Sequence, residues 1–156
     1  ISVPISVSMG HSQANLNRTP AEHIAEIQRM MDWLGRLPAR PPVEVALSTA
    51  FGCSFDGRVP VEDVVRVAEG VARTGVDAIT LADTVGYGHP DDIRTKVRAV
   101  RDAIGPVLHG LHLGVEQQGL QFLLRGLGNQ PFHQRAADML AAPGGKHGHA
   151  ADMAIG

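Results

Sequence analysis

An α/β fold built on a parallel sheet is predicted from three observations. Four short runs rich in Val, Ile, Leu and Ala begin near residues 3, 43, 76 and 107. Each run ends in a polar, glycine-containing turn, and the stretches between runs carry apolar residues at helical spacing. The repeating unit of roughly 30–40 residues is the size of one strand–helix step in a parallel sheet.

Val3 to Met9 reads as the first buried strand. Thr19, Pro20 and Glu22 then supply a hydroxyl N-cap, a proline at the first helical position and an acidic third residue, which together form a capping box. Ile24, Ile27, Met31 and Leu34 follow on one helical face, and Pro38 to Pro42 stops that helix. Val43 to Ala50 is the second strand. Pro60 opens the second helix, with Val61, Val64, Val65, Ala68 and Val71 facing inward and Gly75 at its end. Val76 to Ala82 is the third strand. Pro90 opens the third helix, which carries Ile93, Val97, Val100 and Ile104 and closes at Gly105. Val107 to Leu113 is the fourth strand. Parallel strands covered on both faces read as continuous apolar runs, and these are expected to be of that kind. Four such units make half of a (β/α)8 TIM barrel, or a small open sheet. A complete barrel takes ~250 residues, so a chain of 156 residues is expected to be a partial barrel.

After Leu113 the composition changes. Residues 115–156 hold Val115 and Ile155 as their only β-branched residues, which is poor material for another buried strand. The expected organisation is therefore a partial barrel over 1–113 and a divergent tail over 114–156, mostly helical or irregular. Short helices are expected at 118–127 and 131–142. The chain opens on Ile1 rather than Met, as if already inside a strand, so its natural start is expected further upstream.

Charge and composition remove several classes of partner. With 14 Lys+Arg against 16 Asp+Glu, the formal net charge is −2 and no basic cluster invites nucleic acid or an anionic membrane. No apolar run reaches the ~20 residues that span a bilayer. A single cysteine, Cys53, cannot form an internal disulfide, which together with the absence of a targeting signal gives a cytoplasmic expectation.

In such folds reacting groups collect where strands end, because a rigid sheet aims the first loop residues into one crevice. Those positions hold Ser8 and His11, then Ser48, Thr49 and Cys53, then Asp83 and Thr84, then His109 and His112. Asp83 follows the third strand directly. It either points into the barrel mouth or binds the amides of the Gly86/Gly88 turn. Gly86 and Gly88 lack the third glycine of a dinucleotide-binding loop. His109 and His112 are expected on opposite faces of one strand, so they would not share a metal ion. Cys53, in a loop between Gly52 and Ser54, reads as a structural residue, and Met30, Met31 and Trp33 as helix packing. Arg94, Lys96, Arg98 and Arg101 read as a solvated face. His147 and His149 could capture only adventitious metal.

Three segments in order resemble one enzyme family. Ala50-Phe51-Gly52-Cys53-Ser54-Phe55-Asp56-Gly57-Arg58-Val59-Pro60 resembles the "AFGCPFEGxVP" loop of 3-hydroxy-3-methylglutaryl-CoA lyases. Thr80 to Pro90 resembles that family's "SLGDTIGVGTP" segment, and Ser8 to Thr19, with His11, Asn15 and Asn17, its "SExHxxxNxNxS" stretch. The resemblance spans residues 1–113 and implies a metal-dependent TIM barrel that cleaves 3-hydroxy-3-methylglutaryl-CoA to acetoacetate and acetyl-CoA. It also implies an acyl-CoA substrate and a divalent cation, Mg²⁺ or Mn²⁺, acting as Lewis acid on the substrate oxygens. By position, His112 matches the first histidine of the H-x-H-D-T metal motif, Asp83 and Thr84 the active-site Asp-Thr, and Ser8 a serine near the substrate. His112 and Asp83 are thus the expected catalytic residues, Ser8 and Thr84 the substrate contacts, and His112 the metal ligand.

The sequence also departs from the family pattern. Gly114 stands where the second metal histidine belongs, Val115-Glu116 replaces the Asp-Thr, and Met9 replaces an acidic residue. The family's Arg-Asp pair would precede Ile1, and its "GGCP" loop has no counterpart in 115–156. A frameshift or rearrangement in a lyase gene would account for the tail, and impaired catalysis by this chain is the expectation. Two alternatives stand beside this reading. One is a condensing barrel of the isopropylmalate or homocitrate synthase type, which shares the Asp83-to-Tyr87 segment. The other is an inactive half-barrel that self-associates as a homo-oligomer to cover its open edges.

Overall fold

The computed structural model describes residues 1–112. Four parallel strands, β1 (Ser2–Ser6), β2 (Glu44–Ser48), β3 (Ala78–Ala82) and β4 (Leu108–His112), form one sheet in the order of the sequence. Helices α1 (Met9–Leu16) and α2 (Pro20–Leu34) join β1 to β2. Helix α3 (Val61–Ala72) joins β2 to β3, and α4 (Pro90–Ile104), followed by a 3₁₀ turn at Gly105–Val107, joins β3 to β4. The expected α/β arrangement forms, with three strand–helix steps and a fourth strand among the described residues.

The helices start where their caps predict. The Thr19 hydroxyl accepts the Glu22 amide, the Glu22 carboxylate accepts the Thr19 amide, and Pro20 occupies the first turn of α2. Pro90 does the same for α4, with Asp91 and Asp92 in the first turn favouring the helix dipole.

The sheet has two unlike faces. Register pairs Ser2 with Glu44, Pro4 with Ala46 and Ser6 with Ser48, then Glu44 with Ala78, Thr80 with Gly110 and Ala82 with His112. Parallel partners point to the same side. These residues therefore form one face, composed entirely of small or polar groups. The other face carries Ile5, Val45, Leu47, Ile79 and Leu81, each fully buried under α2, α3 and α4. Ile27, Met31 and Leu34 of α2, Val64, Val67, Ala68 and Val71 of α3, and Ile93 and Val100 of α4 complete that core. Burying each of the large side chains stabilises the fold by about 1.5–3 kcal/mol.

Several sequence expectations change here. The strands are not continuous apolar runs covered on both sides. They alternate, because among the described residues only one face of this four-stranded sheet carries a layer of helices. The first strand ends at Ser6, and residues 9–16 are helical although they lack an apolar stripe; only Ser12 of that helix is buried. Lys96 is not on a solvated face. It is 2% exposed, its Nζ lies 2.7 Å from Asp92 and 5.7 Å from the centre of the Phe51 ring, and it ties α4 to the loop after β2. Trp33 is 60% exposed and packs into no core. The expected tail helices, with His147 and His149, lie outside the described residues.

Candidate active site

The C-terminal ends of the four strands meet on the open face. There the β1–α1 turn, the β2–α3 loop and the β3–α4 loop are laced together by side chains. Thr49, one residue past β2, has φ +59°, a left-handed conformation that is a true outlier for a β-branched residue. Such strain costs about 1–3 kcal/mol and persists only where surrounding bonds enforce it. Here they do. The Thr49 amide donates to Thr84 Oγ1 at 2.8 Å, its Oγ1 accepts the Ser8 amide at 3.2 Å, and that same hydroxyl donates to the Ser48 carbonyl at 2.6 Å. The residue is fully buried.

Ser8 is 4% exposed and caps α1 by accepting the His11 amide. Its oxygen lies 2.7 Å from Asp56 Oδ2 and 2.9 Å from Cys53 Sγ. One hydroxyl proton cannot serve both partners. The bond to the carboxylate is charge-assisted and takes it, so the Cys53 thiol must donate to Ser8 Oγ. Asp56 also accepts the Gly10 amide at 2.8 Å. The Ser8 hydroxyl, then the Gly10 amide, hold the Asp56 carboxyl below the ordinary carboxylate range. Gly10 permits this close approach, since a Cβ there would collide with the Asp56 carboxylate. The 53–57 loop that presents Asp56 is closed by a reciprocal pair of backbone bonds between Cys53 and Gly57, both 2.8 Å.

Asp83 takes the second of its two sequence readings geometrically. It is fully buried, and its carboxylate accepts the Gly86 and Tyr87 amides at 3.1 Å and the Gly88 amide at 2.9 Å. It fixes the turn that displays Thr84, which is exposed. Thr84 Oγ1 accepts from Thr49, and no described residue accepts its own O–H proton.

On the open face itself, Ser6 sits beside Ser48, and Ala82 beside His112. His11 reaches over the β1 end. Its Nδ1 lies 2.6 Å from Ser6 Oγ, its Nε2 2.9 Å from Asn15, and its ring makes an edge contact with Phe55. Below them, Thr80 donates to Glu44 at 2.6 Å. His112 is exposed at the other end of the row, and its carbonyl accepts the Asp83 amide. His109 lies in the register shift between β3 and β4 and is exposed as well. Of the expected residues, Ser8 and Thr84 are thus joined through Thr49, and Asp83 and His112 through one backbone bond.

The cation implied by the sequence resemblance finds no ligand set among residues 1–112. Among the described residues no three His, Cys, Asp or Glu side chains come together to hold a metal ion. His112 is a single imidazole, and the Asp83 oxygens are occupied by amides.

Comparison with known proteins decides the family. The HMGL-like family model matches residues 1–113. The chain belongs to the HMGL-like family. It is 33% identical over 153 residues to a (R)-citramalyl-CoA lyase of Chloroflexus aurantiacus, covering 88% of this chain and 48% of that protein. The HMG-CoA lyase structure from Brucella melitensis matches with a TM-score of 0.65 and 33% identity, over 70% of this chain and 38% of that one. An HMG-CoA lyase from Acinetobacter baumannii, in complex with coenzyme A and 3-methylmalate, matches with a TM-score of 0.64 and 27% identity, over 88% of this chain and 41% of that one. The chain spans about half the length of the curated relatives it matches, such as 48% of the citramalyl-CoA lyase and 43% of a rat HMG-CoA lyase. The relatives named here are carbon–carbon lyases, and the sheet of this chain has the fold of a partial TIM barrel.

Sequence reasoning placed Thr49 and Ser48 at a strand end without assigning them a role, and gave none to Ser6 or Asp56. Thr49 carries no local signal, because a glycine or asparagine is what normally marks a left-handed residue. Asp56 had one: Asp-Gly after a cysteine loop is a turn whose carboxylate is free to reach out.

Proposed function

We propose that this chain carries the substrate-facing half of an acyl-CoA carbon–carbon lyase. Its substrate class is a 3-hydroxy-3-methyl acyl thioester bearing a free carboxylate, of which hydroxymethylglutaryl-CoA and citramalyl-CoA are the two members named among its relatives. The observation that carries the reading is the polar row at the C-terminal ends of the parallel strands, with Thr84 and His112 exposed on it. The relative in complex with coenzyme A supports the acyl-CoA part.

In this chemistry the C3 hydroxyl loses its proton and the C2–C3 bond breaks. The electron pair passes to C2 as the thioester enolate, which takes up a proton to become acetyl-CoA. The C3 fragment leaves as a keto acid. The residues of this chain serve binding and orientation. The Thr84 hydroxyl offers a donor to a substrate oxygen, and His112 offers an imidazole on the open face. Asp83 and Thr49 keep these groups from drifting. Orientation of this kind governs such a step, since small misplacements cost large factors in rate.

The test uses the full chain. Acetyl-CoA binding followed by NMR is expected in the parent and weakened in His112→Ala. Release of acetyl-CoA from hydroxymethylglutaryl-CoA or citramalyl-CoA with Mg²⁺ is expected to be absent or far below that of an intact lyase, because the described residues assemble no ligand set. A folded chain that ignores acetyl-CoA overturns the proposal. Rapid release from either thioester overturns the expectation of impaired catalysis.

A further inference from the structure

We infer that Thr49 is the positioning residue of this site, a single buried junction that fixes Ser8 and Thr84 relative to each other. Three facts converge on it. Its amide is held by the Thr84 hydroxyl at 2.8 Å, and its own hydroxyl holds the Ser8 amide at 3.2 Å. Its backbone takes a left-handed angle, φ +59°, that a β-branched side chain strongly disfavours. Its side chain is fully buried, so the hydroxyl has no competing contact with water.

Glycine at this position would relieve the backbone, but it would also remove the acceptor for the Ser8 amide. Valine would keep the shape and the strain and remove the same acceptor. The backbone amide of residue 49 serves Thr84 whatever the side chain, whereas the Ser8 amide needs a side-chain acceptor here, which the threonine hydroxyl supplies. Through Ser8 the junction reaches Asp56 and the 53–57 loop, so a ligand that draws Thr84 toward itself is felt on the far side of β2. Thr49 touches no ligand and acts through its two neighbours. The functional consequence rests on the proposal that acyl-CoA binds at these strand ends, whereas the mechanical part does not.

The test measures backbone amide exchange and acetyl-CoA binding on the full chain. In Thr49→Val, the Ser8 amide is expected to exchange about five- to tenfold faster, the loss of one hydrogen bond. The amide of residue 49, still held by Thr84, is expected to stay unchanged. Thr49→Ser restores the parent pattern at Ser8. Thr49→Gly, which adopts the same backbone angle without strain, is expected to behave as Thr49→Val does at Ser8, and it guards against a valine variant that fails to fold. Thr84→Val is expected to speed exchange at residue 49. Acetyl-CoA affinity follows the Ser8 amide, about fivefold weaker in Thr49→Val and recovered in Thr49→Ser. An unchanged Ser8 amide in the valine and glycine variants, or a serine variant that fails to restore it, overturns the inference. If the parent binds no acetyl-CoA, the functional proposal falls, and the exchange pattern still decides the role of Thr49.

Discussion

The two faces of the sheet divide the work of the molecule. One presents Ile5, Val45, Leu47, Ile79 and Leu81 to three helices and is sealed. The other presents Ser2, Ser6, Glu44, Ser48, Thr80 and His112 and is left open by the described residues. The first face holds the fold through apolar area. The second spends its side chains on hydrogen bonds that contribute little net stability but hold polar groups in set positions. Substitutions on the two faces should therefore differ in kind as well as in size.

The largest effect is expected on the sealed face. Leu47→Ala or Leu81→Ala should destabilise the domain by about 2–5 kcal/mol in chemical denaturation, because each removes a side chain with no exposed surface and leaves a cavity. A loss well under 1 kcal/mol would break the contrast. Asp83→Ala comes next, at about 3 kcal/mol. It strands the Gly86, Tyr87 and Gly88 amides, one of which is buried, and it should also loosen the turn that carries Thr84. Amide exchange at those three glycine-loop positions checks it.

Asp56 sharpens the comparison through pH. Its folded-state pKa is depressed by the Ser8 hydroxyl and the Gly10 amide. A depressed carboxyl contributes stability above its unfolded value and loses it as the pH falls through the folded value. The stability gap between the parent and Asp56→Asn should therefore be present at pH 7 and close below about pH 4. A gap that persists at pH 2 would assign the effect to shape rather than charge. The smallest effect is expected at Ser6→Ala on the open face, about 1 kcal/mol or less, since it removes one hydrogen bond to His11 and leaves no cavity of consequence. Loss of the fixed His11 ring position, read from its NMR shifts, should accompany it.

The sequence carried the sealed face well and the open face poorly. Apolar spacing and the caps at Thr19, Pro20 and Pro90 located α2, α3, α4 and all four strands, because hydrophobic period and capping are local signals. Helix α1 was not legible, since Met9–Leu16 has a single buried residue and is held by the Ser8 cap, a contact that becomes informative only once Asp56 is known to orient Ser8. Lys96 was misread for a similar reason. Charge on a helix predicts solvent, and only the tertiary approach of Phe51 shows where the stem lies. At the site, the resemblance supplied Ser8, Asp83, Thr84 and His112. The bonds that connect them, through Thr49 and Asp56, join residues 35 to 48 positions apart and leave no trace in local pattern.

The order of the strands also bears on how the chain reaches this state. Among the described residues, β2, β3 and β4 each pair with the strand synthesised immediately before them, across one helical connection. Loop-closure entropy is then met in modest instalments, which favours quick formation despite the parallel sheet. A nascent chain can add these strands one at a time to a template already in place, with the edges of β1, β2 and β3 each paired by the next strand as it leaves the ribosome.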